Sequence, residues 1–82
     1  MIIHETEGFK KDLKRLSQKT KKKFQKQIKL LVTDFFYPSL HNKKIKGEKN
    51  VWEARVDYHY RFSLKKEDKN IYLLSIGLTT KV

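Results

Sequence analysis

The stretch V-W-E-A-R-V-D-Y-H-Y-R-F-S-L, residues 51–64, decides the fold. Apolar and polar side chains alternate through it at period two, the signature of half-buried β-strands. Trp52, Ala54 and Val56 share one face of the first run, and Glu53, Arg55 and Asp57 share the other. In the second run Tyr60, Phe62 and Leu64 form the apolar set, against His59, Arg61 and Ser63. A three-residue loop, Asp57-Tyr58-His59, pairs Val56 with Tyr60 and Ala54 with Phe62. That register keeps every apolar side chain on one face, and a slip of one residue would turn one strand's set toward water. It also sets Arg55 opposite Arg61. Like charges facing each other across a ladder are destabilising. An anion between them removes the conflict, and phosphate suits the guanidinium fork. The competing reading is a pair of solvated arginines on an open face. It is the better one for either arginine alone. For the pair, with His59 and Glu53 beside it, a functional site is favoured.

Outward from this hairpin, the chain reads as one domain, residues 1–82, without repeats or a low-complexity linker. Residues 1–5 are a short apolar start, expected as an edge strand. Thr6 can cap a helix, with Glu7 in its first turn, where a negative charge suits the dipole. Phe9, Leu13 and Leu16 then recur at helical spacing. A second helix is expected over 20–35, with Phe24, Ile28, Leu31, Val32 and Phe35 as its apolar stripe and Pro38 marking its end. The short link between them predicts an antiparallel helical hairpin. Residues 39–50 form a polar, basic connector. Strands near 51–57 and 60–65, a charged turn and a last strand near 71–77 complete the chain. Residues 71–76 are apolar at nearly every position, so alternation does not assign their faces; a central strand covered on both sides is expected. The order strand, two helices, three strands is an α+β architecture. One sheet face packs on the helical hairpin. The other presents Glu53, Arg55, His59 and Arg61.

Composition points the same way. With 82 residues the core is small. Twenty Lys and Arg against nine acids give a formal net charge of +11. Such a charge draws polyanions: nucleic acid, an acidic protein or an anionic membrane surface. No apolar run has the length of a membrane span, and the start lacks a signal-peptide pattern. Without cysteine, disulfides and thiolate chemistry are excluded, and a cytoplasmic location is expected. His4, His41 and His59 are not spaced as a metal site, so no metal and no cofactor is expected.

The helices carry a run of lysines from Lys10 to Lys29 that few acids interrupt. Such a run is usually a solvated face, but here a polyanion contact is reasonable. A membrane-surface role ranks lower, because the apolar stripes are needed to cover the sheet. In the connector, Lys43, Lys44 and Lys46 suit a mobile loop gripping a nucleic-acid backbone. His59 is the best group to titrate near neutral pH, and His4 reads as structural. Of the aromatics set among basic residues, Trp52 and Tyr60 belong to the core face, and Tyr58 is free to stack on a base.

The layout now resembles the RelE/ParE superfamily of toxins from toxin–antitoxin pairs. The resemblance rests on F-K-K-D-L-K-R-L in the first helix, L-H-N-K-K-I-K-G in the connector, V-W-E-A-R-V and Y-R-F-S-L in the strands, and the closing L-L-S-I-G. It implies one of two activities. RelE-like and YafQ-like members cleave mRNA on the ribosome without metal. ParE-like members poison DNA gyrase. Both are held by an antitoxin, often acidic. In the RNA-cleaving branch an arginine after tyrosine contacts the scissile phosphate, matching Arg61, and a basic residue on the preceding strand matches Arg55. Glu53 or His59 would serve as base. Many members then carry Gly-Thr-His, whose histidine is the general acid. This chain reads Gly77-Leu78-Thr79, so Thr79 stands in that place, with Lys81 or Lys46 as poorly matched substitutes. The resemblance therefore implies a slow endoribonuclease, or a toxin that binds without cutting.

Overall fold

The computed structural model describes residues 1–78; residues 79–82, which include Thr79 and Lys81, lie outside the described part. Among the described residues five strands form one sheet, and two helices pack on one of its faces. In chain order they are β1 (Ile2–Glu5), α1 (Glu7–Lys14), α2 (Gln18–Thr33), a 3-10 turn (Pro38–Leu40), β2 (Lys43–Lys44), β3 (Val51–Arg55), β4 (Tyr60–Glu67) and β5 (Asn70–Leu78). The sheet order is β1-β5-β4-β3-β2, antiparallel except for β1, which runs parallel to β5. The fold class expected from the sequence is thus present, with β1 on an edge as expected and β2 added at the other edge.

Local chemistry sets the helices. Thr6 caps α1: its Oγ1 accepts from the Phe9 amide at 3.3 Å and donates to the Leu73 carbonyl at 2.8 Å. One hydroxyl thus starts the helix and ties it to β5. Ser17 caps α2, accepting from the Thr20 amide at 3.2 Å, so the helix starts two residues ahead of the expected position. It also stops earlier, at Thr33. Asp34 turns extended and its carboxylate accepts from the Phe36 amide. Pro38 opens the 3-10 turn rather than ending the helix.

The core lies between the helices and one sheet face. Phe24 of α2 meets Phe62 of β4 edge-on at 5.1 Å and Phe9 of α1 at 5.3 Å. Leu31, Leu40, Leu64, Ile71 and Leu73 complete its centre. Burying such side chains is worth roughly 1.5–3 kcal/mol each. Val32, expected in the stripe of α2, is exposed, and Gln27 is buried in its stead. Its amide has partners: Nε2 donates to the carbonyls of Arg55 at 2.8 Å and Ser39 at 3.3 Å.

β5 is not apolar on both sides. Leu64 pairs with Leu73 and Ser63 with Ser75, so Leu74 is an extra residue, a bulge. Ile71 and Leu73 point into the core before it and Ile76 after it. The bulge shifts the alternation by one residue, which is why the sequence of this strand hides its faces.

Candidate RNA-binding face

The register over residues 51–64 is the expected one. Ala54 pairs with Phe62 and Arg55 with Arg61, and the Val56 amide donates to the Tyr60 carbonyl at 2.9 Å. The polar face of the sheet is therefore ordered in rows. Arg55, Arg61 and Gly77 lie across one row. Lys43, Glu53, Ser63 and Ser75 lie across the next, with the two serine hydroxyls hydrogen-bonded.

A turn built on Asp57 aims Arg61. The Asp57 carboxylate accepts from the amides of His59 at 2.8 Å and Tyr60 at 2.9 Å, and pairs with Lys23 at 3.1 Å. Partial burial pushes its pKa up, but the amides of Tyr60 and His59 and the Lys23 ammonium outweigh that and hold it below the usual 3.8. The carbonyl of Asp57 then accepts from Arg61 Nη1 at 2.9 Å, with the Tyr60 carbonyl at 3.3 Å. One nitrogen of the fork is thereby fixed, leaving the Nη2–Nε edge to meet an anion.

Among the described residues neither arginine has a carboxylate partner. Among the described residues three ion pairs form: Lys10–Glu7, Lys23–Asp57 and Lys65–Glu67. Arg55 Nε is buried without a hydrogen-bond partner among them. An unsatisfied buried donor costs about 1–3 kcal/mol, more when charged. This strand pair holds two adjacent cations that the described protein does not neutralise.

Beside them a groove of about 520 Å³ crosses the face, lined by Asp12, Lys43, Glu53, Arg61, Ser63, Ser75, Gly77 and Leu78 among others. Of the residues singled out by sequence, Arg61, Glu53 and Lys43 meet there. Arg55 stands one strand over, opposite Arg61. The expectation of a mobile lysine loop is corrected: Lys43 and Lys44 form the edge strand β2. Lys44 pairs with Trp52 and so takes the opposite face, while Lys46 is exposed beyond the strand. His59 and Tyr58 are exposed at the turn, their rings edge-to-face at 5.3 Å, and neither lines the groove.

Asp12 is the lining residue the sequence reading missed. Its Oδ2 accepts from the Ile76 amide at 3.3 Å, capping β5 where β1 has ended. Its position gave a signal. Phe9, Asp12, Leu13 and Leu16 fall at i, i+3, i+4 and i+7, so a carboxylate occupies the inward stripe and needs a partner there. Among the described residues no three His, Asp or Glu side chains gather as metal ligands, and no helix is long and apolar enough to cross a membrane.

No protein-family profile and no curated protein matches the sequence. Solved structures do match. The RelB–RelE antitoxin–toxin complex from Methanococcus jannaschii aligns over 92% of this chain and 88% of that chain, at 22% identity and TM-score 0.77. The YoeB/ParE toxin from Agrobacterium tumefaciens aligns over 98% and 100%, at 15% identity and TM-score 0.81. YafQ from E. coli aligns over 94% and 91%, at 22% identity and TM-score 0.77. The chain therefore has the fold shared by the toxins of the RelE/ParE superfamily.

Proposed function

We propose that this protein is the toxin of a toxin–antitoxin pair, and a slow, metal-independent endoribonuclease acting on mRNA at the ribosome in the cytoplasm. One observation carries the reading: Arg55 and Arg61 stand side by side without a carboxylate partner among the described residues, next to a groove that holds Glu53. A phosphodiester, with its single negative charge, bridges the two guanidiniums and offsets their repulsion, with its ribose toward the Glu53 row. The ribose 2′-hydroxyl attacks phosphorus as Glu53 takes its proton. The arginines stabilise the charge that builds on the phosphoryl oxygens. The bond to the 5′-oxygen breaks, leaving a cyclic phosphate and a 5′-hydroxyl. That oxygen needs a proton, and Thr79 is a poor donor. Glu53 lines the groove and His59 does not, which favours the carboxylate as base.

The structural neighbours include complexes with the antitoxins RelB and DinJ. An acidic antitoxin suits the +11 charge of this chain. In vitro translation with primer-extension mapping tests the reading. Cuts that vanish in Arg61→Ala support it; a block of translation without cuts overturns the nuclease. The absence of a histidine at Thr79 favours a second reading in that event, a toxin that inhibits translation, or gyrase as ParE-like members do, by binding alone.

A further inference from the structure

Two rows from the arginine pair, the same open face carries an aromatic stack. His4 of β1 and Tyr72 of β5 are register partners, and their rings lie 4.8 Å apart between centroids at an interplanar angle of 17°. The His4 Nε2 is hydrogen-bonded to Asn70 Oδ1 at 2.9 Å, which fixes the imidazole plane. Lys65 is the register partner of Tyr72 on β4, so its side chain rises from the same face. Among the described residues it is held only by Glu67 at 3.5 Å, in a pair whose side chains are 42% and 50% exposed. Such a pair is worth little and yields to a phosphate.

The stack does no work for the core. Ile71 and Leu73 fill the helix side of β5, while His4 and Tyr72 lie half-buried on the opposite face. β1 is an edge strand, so among the described residues no neighbouring strand flanks His4 on the side away from Tyr72. A third planar ring can extend the stack there. Arg61 and Lys65 are four residues apart on β4, about 13 Å at the rise of a strand. The hydroxyls of Ser63 and Ser75 lie between them. Cations spaced along a face, with an aromatic platform beside them, are what single-stranded nucleic acid requires.

We propose that the His4–Tyr72 stack is a base-stacking platform for single-stranded RNA, with Lys65 as its phosphate contact. This rests on the reading of Arg61 as a phosphate site and extends that site along the sheet. An acidic peptide would use Lys65 but gain nothing from a fixed ring face.

The test is binding of the full-length protein to a short fluorescent oligouridylate, and to an abasic ribose-phosphate oligomer of equal length, by anisotropy. Wild type is expected to prefer the oligouridylate. His4→Ala and Tyr72→Ala are expected to weaken oligouridylate binding about five- to 150-fold, the loss of one stacked base, and to leave abasic binding and the salt slope unchanged. His4→Phe keeps the preference. Lys65→Gln lowers the salt slope by about one contact for both oligomers. Circular dichroism identifies folded variants, and His4→Ala, on the sheet edge, serves if Tyr72→Ala does not fold. Equal wild-type affinity for both oligomers, affinity for neither, or an unchanged preference in folded His4→Ala overturns the platform. A base-dependent loss in His4→Ala without any cleavage in translation assays leaves the platform standing and removes the nuclease.

Discussion

Arg55 and Arg61 face each other across the β3–β4 ladder, and the carboxylate nearest them in sequence, Asp57, is turned instead to Lys23 and two backbone amides. The repulsion between the arginines is therefore retained, and removing one of them relieves it.

Arg61→Ala is expected to abolish toxicity while the protein stays folded. The substitution loses two hydrogen bonds to the Asp57–Tyr60 turn, about 1 kcal/mol each, and relieves a like-charge contact. The melting temperature is expected to fall by only a few degrees. Arg61→Lys keeps the charge without the fork and is expected to retain partial activity. Growth arrest on induction, read beside thermal melts of purified variants, checks both. A fully toxic Arg61→Ala would remove the proposed phosphate site.

Glu53 shares its row with Lys43 and Ser63. Glu53→Gln keeps the shape and removes the base. Cleavage is expected to drop about 10²–10⁴-fold. Oligouridylate affinity is expected to hold or rise, because the face becomes more positive. Single-turnover cleavage alongside anisotropy separates the two effects. Equal losses in both would make Glu53 a binding residue.

Asp57 links stability to pH. Its native pKa lies below the usual 3.8, so the unfolded chain binds the proton more readily. The stabilisation is fully present above 3.8 and is lost as pH falls through the lowered native value. Asp57→Asn is expected to cost about 1 kcal/mol at neutral pH, several degrees in Tm for a domain of this size. Melts between neutral and acid pH are expected to show the gap between wild type and variant closing in that acidic window. A gap independent of pH would mean that the amide costs packing rather than charge.

The hairpin was legible because one alternation fixed both faces and the register together. The Thr6 cap was legible as a residue type, whereas Ser17, read as part of the link, caps an α2 that was expected to start at Thr20. Three features were hidden for physical reasons. The bulge at Leu74 breaks a period that a sequence shows only where it is regular. Lys43 and Lys44 gain their strand from pairing with β3, not from propensity. Asp12 and Gln27 sit at stripe positions, yet a polar residue there reads as surface unless its partners are known: an Ile76 amide for one, two carbonyls for the other. The site was half legible for the same reason. Arg61 and Glu53 follow from the hairpin register, whereas Lys43 depends on the pairing of β2 and the place of His59 on a turn.

Gln27 holds α2 to the end of β3 through the Arg55 carbonyl. Gln27→Leu leaves that acceptor and the Ser39 carbonyl without this donor, at about 1–3 kcal/mol. Gln27→Glu is expected to be worse at neutral pH, because a buried carboxylate would face two carbonyl oxygens. The introduced carboxyl would have a raised native pKa. Its penalty would therefore shrink as pH falls from that raised value toward about 4.3. Denaturant unfolding of both variants at neutral and mildly acidic pH checks the order and its sign. A Gln27→Glu protein as stable as wild type at neutral pH would show that the site is open to water.

Thr79 follows Leu78, the register partner of Tyr60 in the row beyond Arg61. If proton donation to the leaving oxygen is the slow step, Thr79→His is expected to speed cleavage of ribosome-bound mRNA. The gain should fall at the low end of the roughly 10²–10⁴-fold range of general acid catalysis, because the surroundings are not tuned for the new group. RNA affinity should change little. Single-turnover rates across a pH range centred on the ordinary histidine value of about 6.5 make the check specific. An imidazolium acid works in its protonated form, so the variant's advantage is expected to be greatest below that value and to fade above it. A rapid wild-type cleavage that Thr79→His leaves unchanged would mean that another group supplies the proton. Arrest of translation by both proteins without cuts would make the toxin a binder rather than a nuclease.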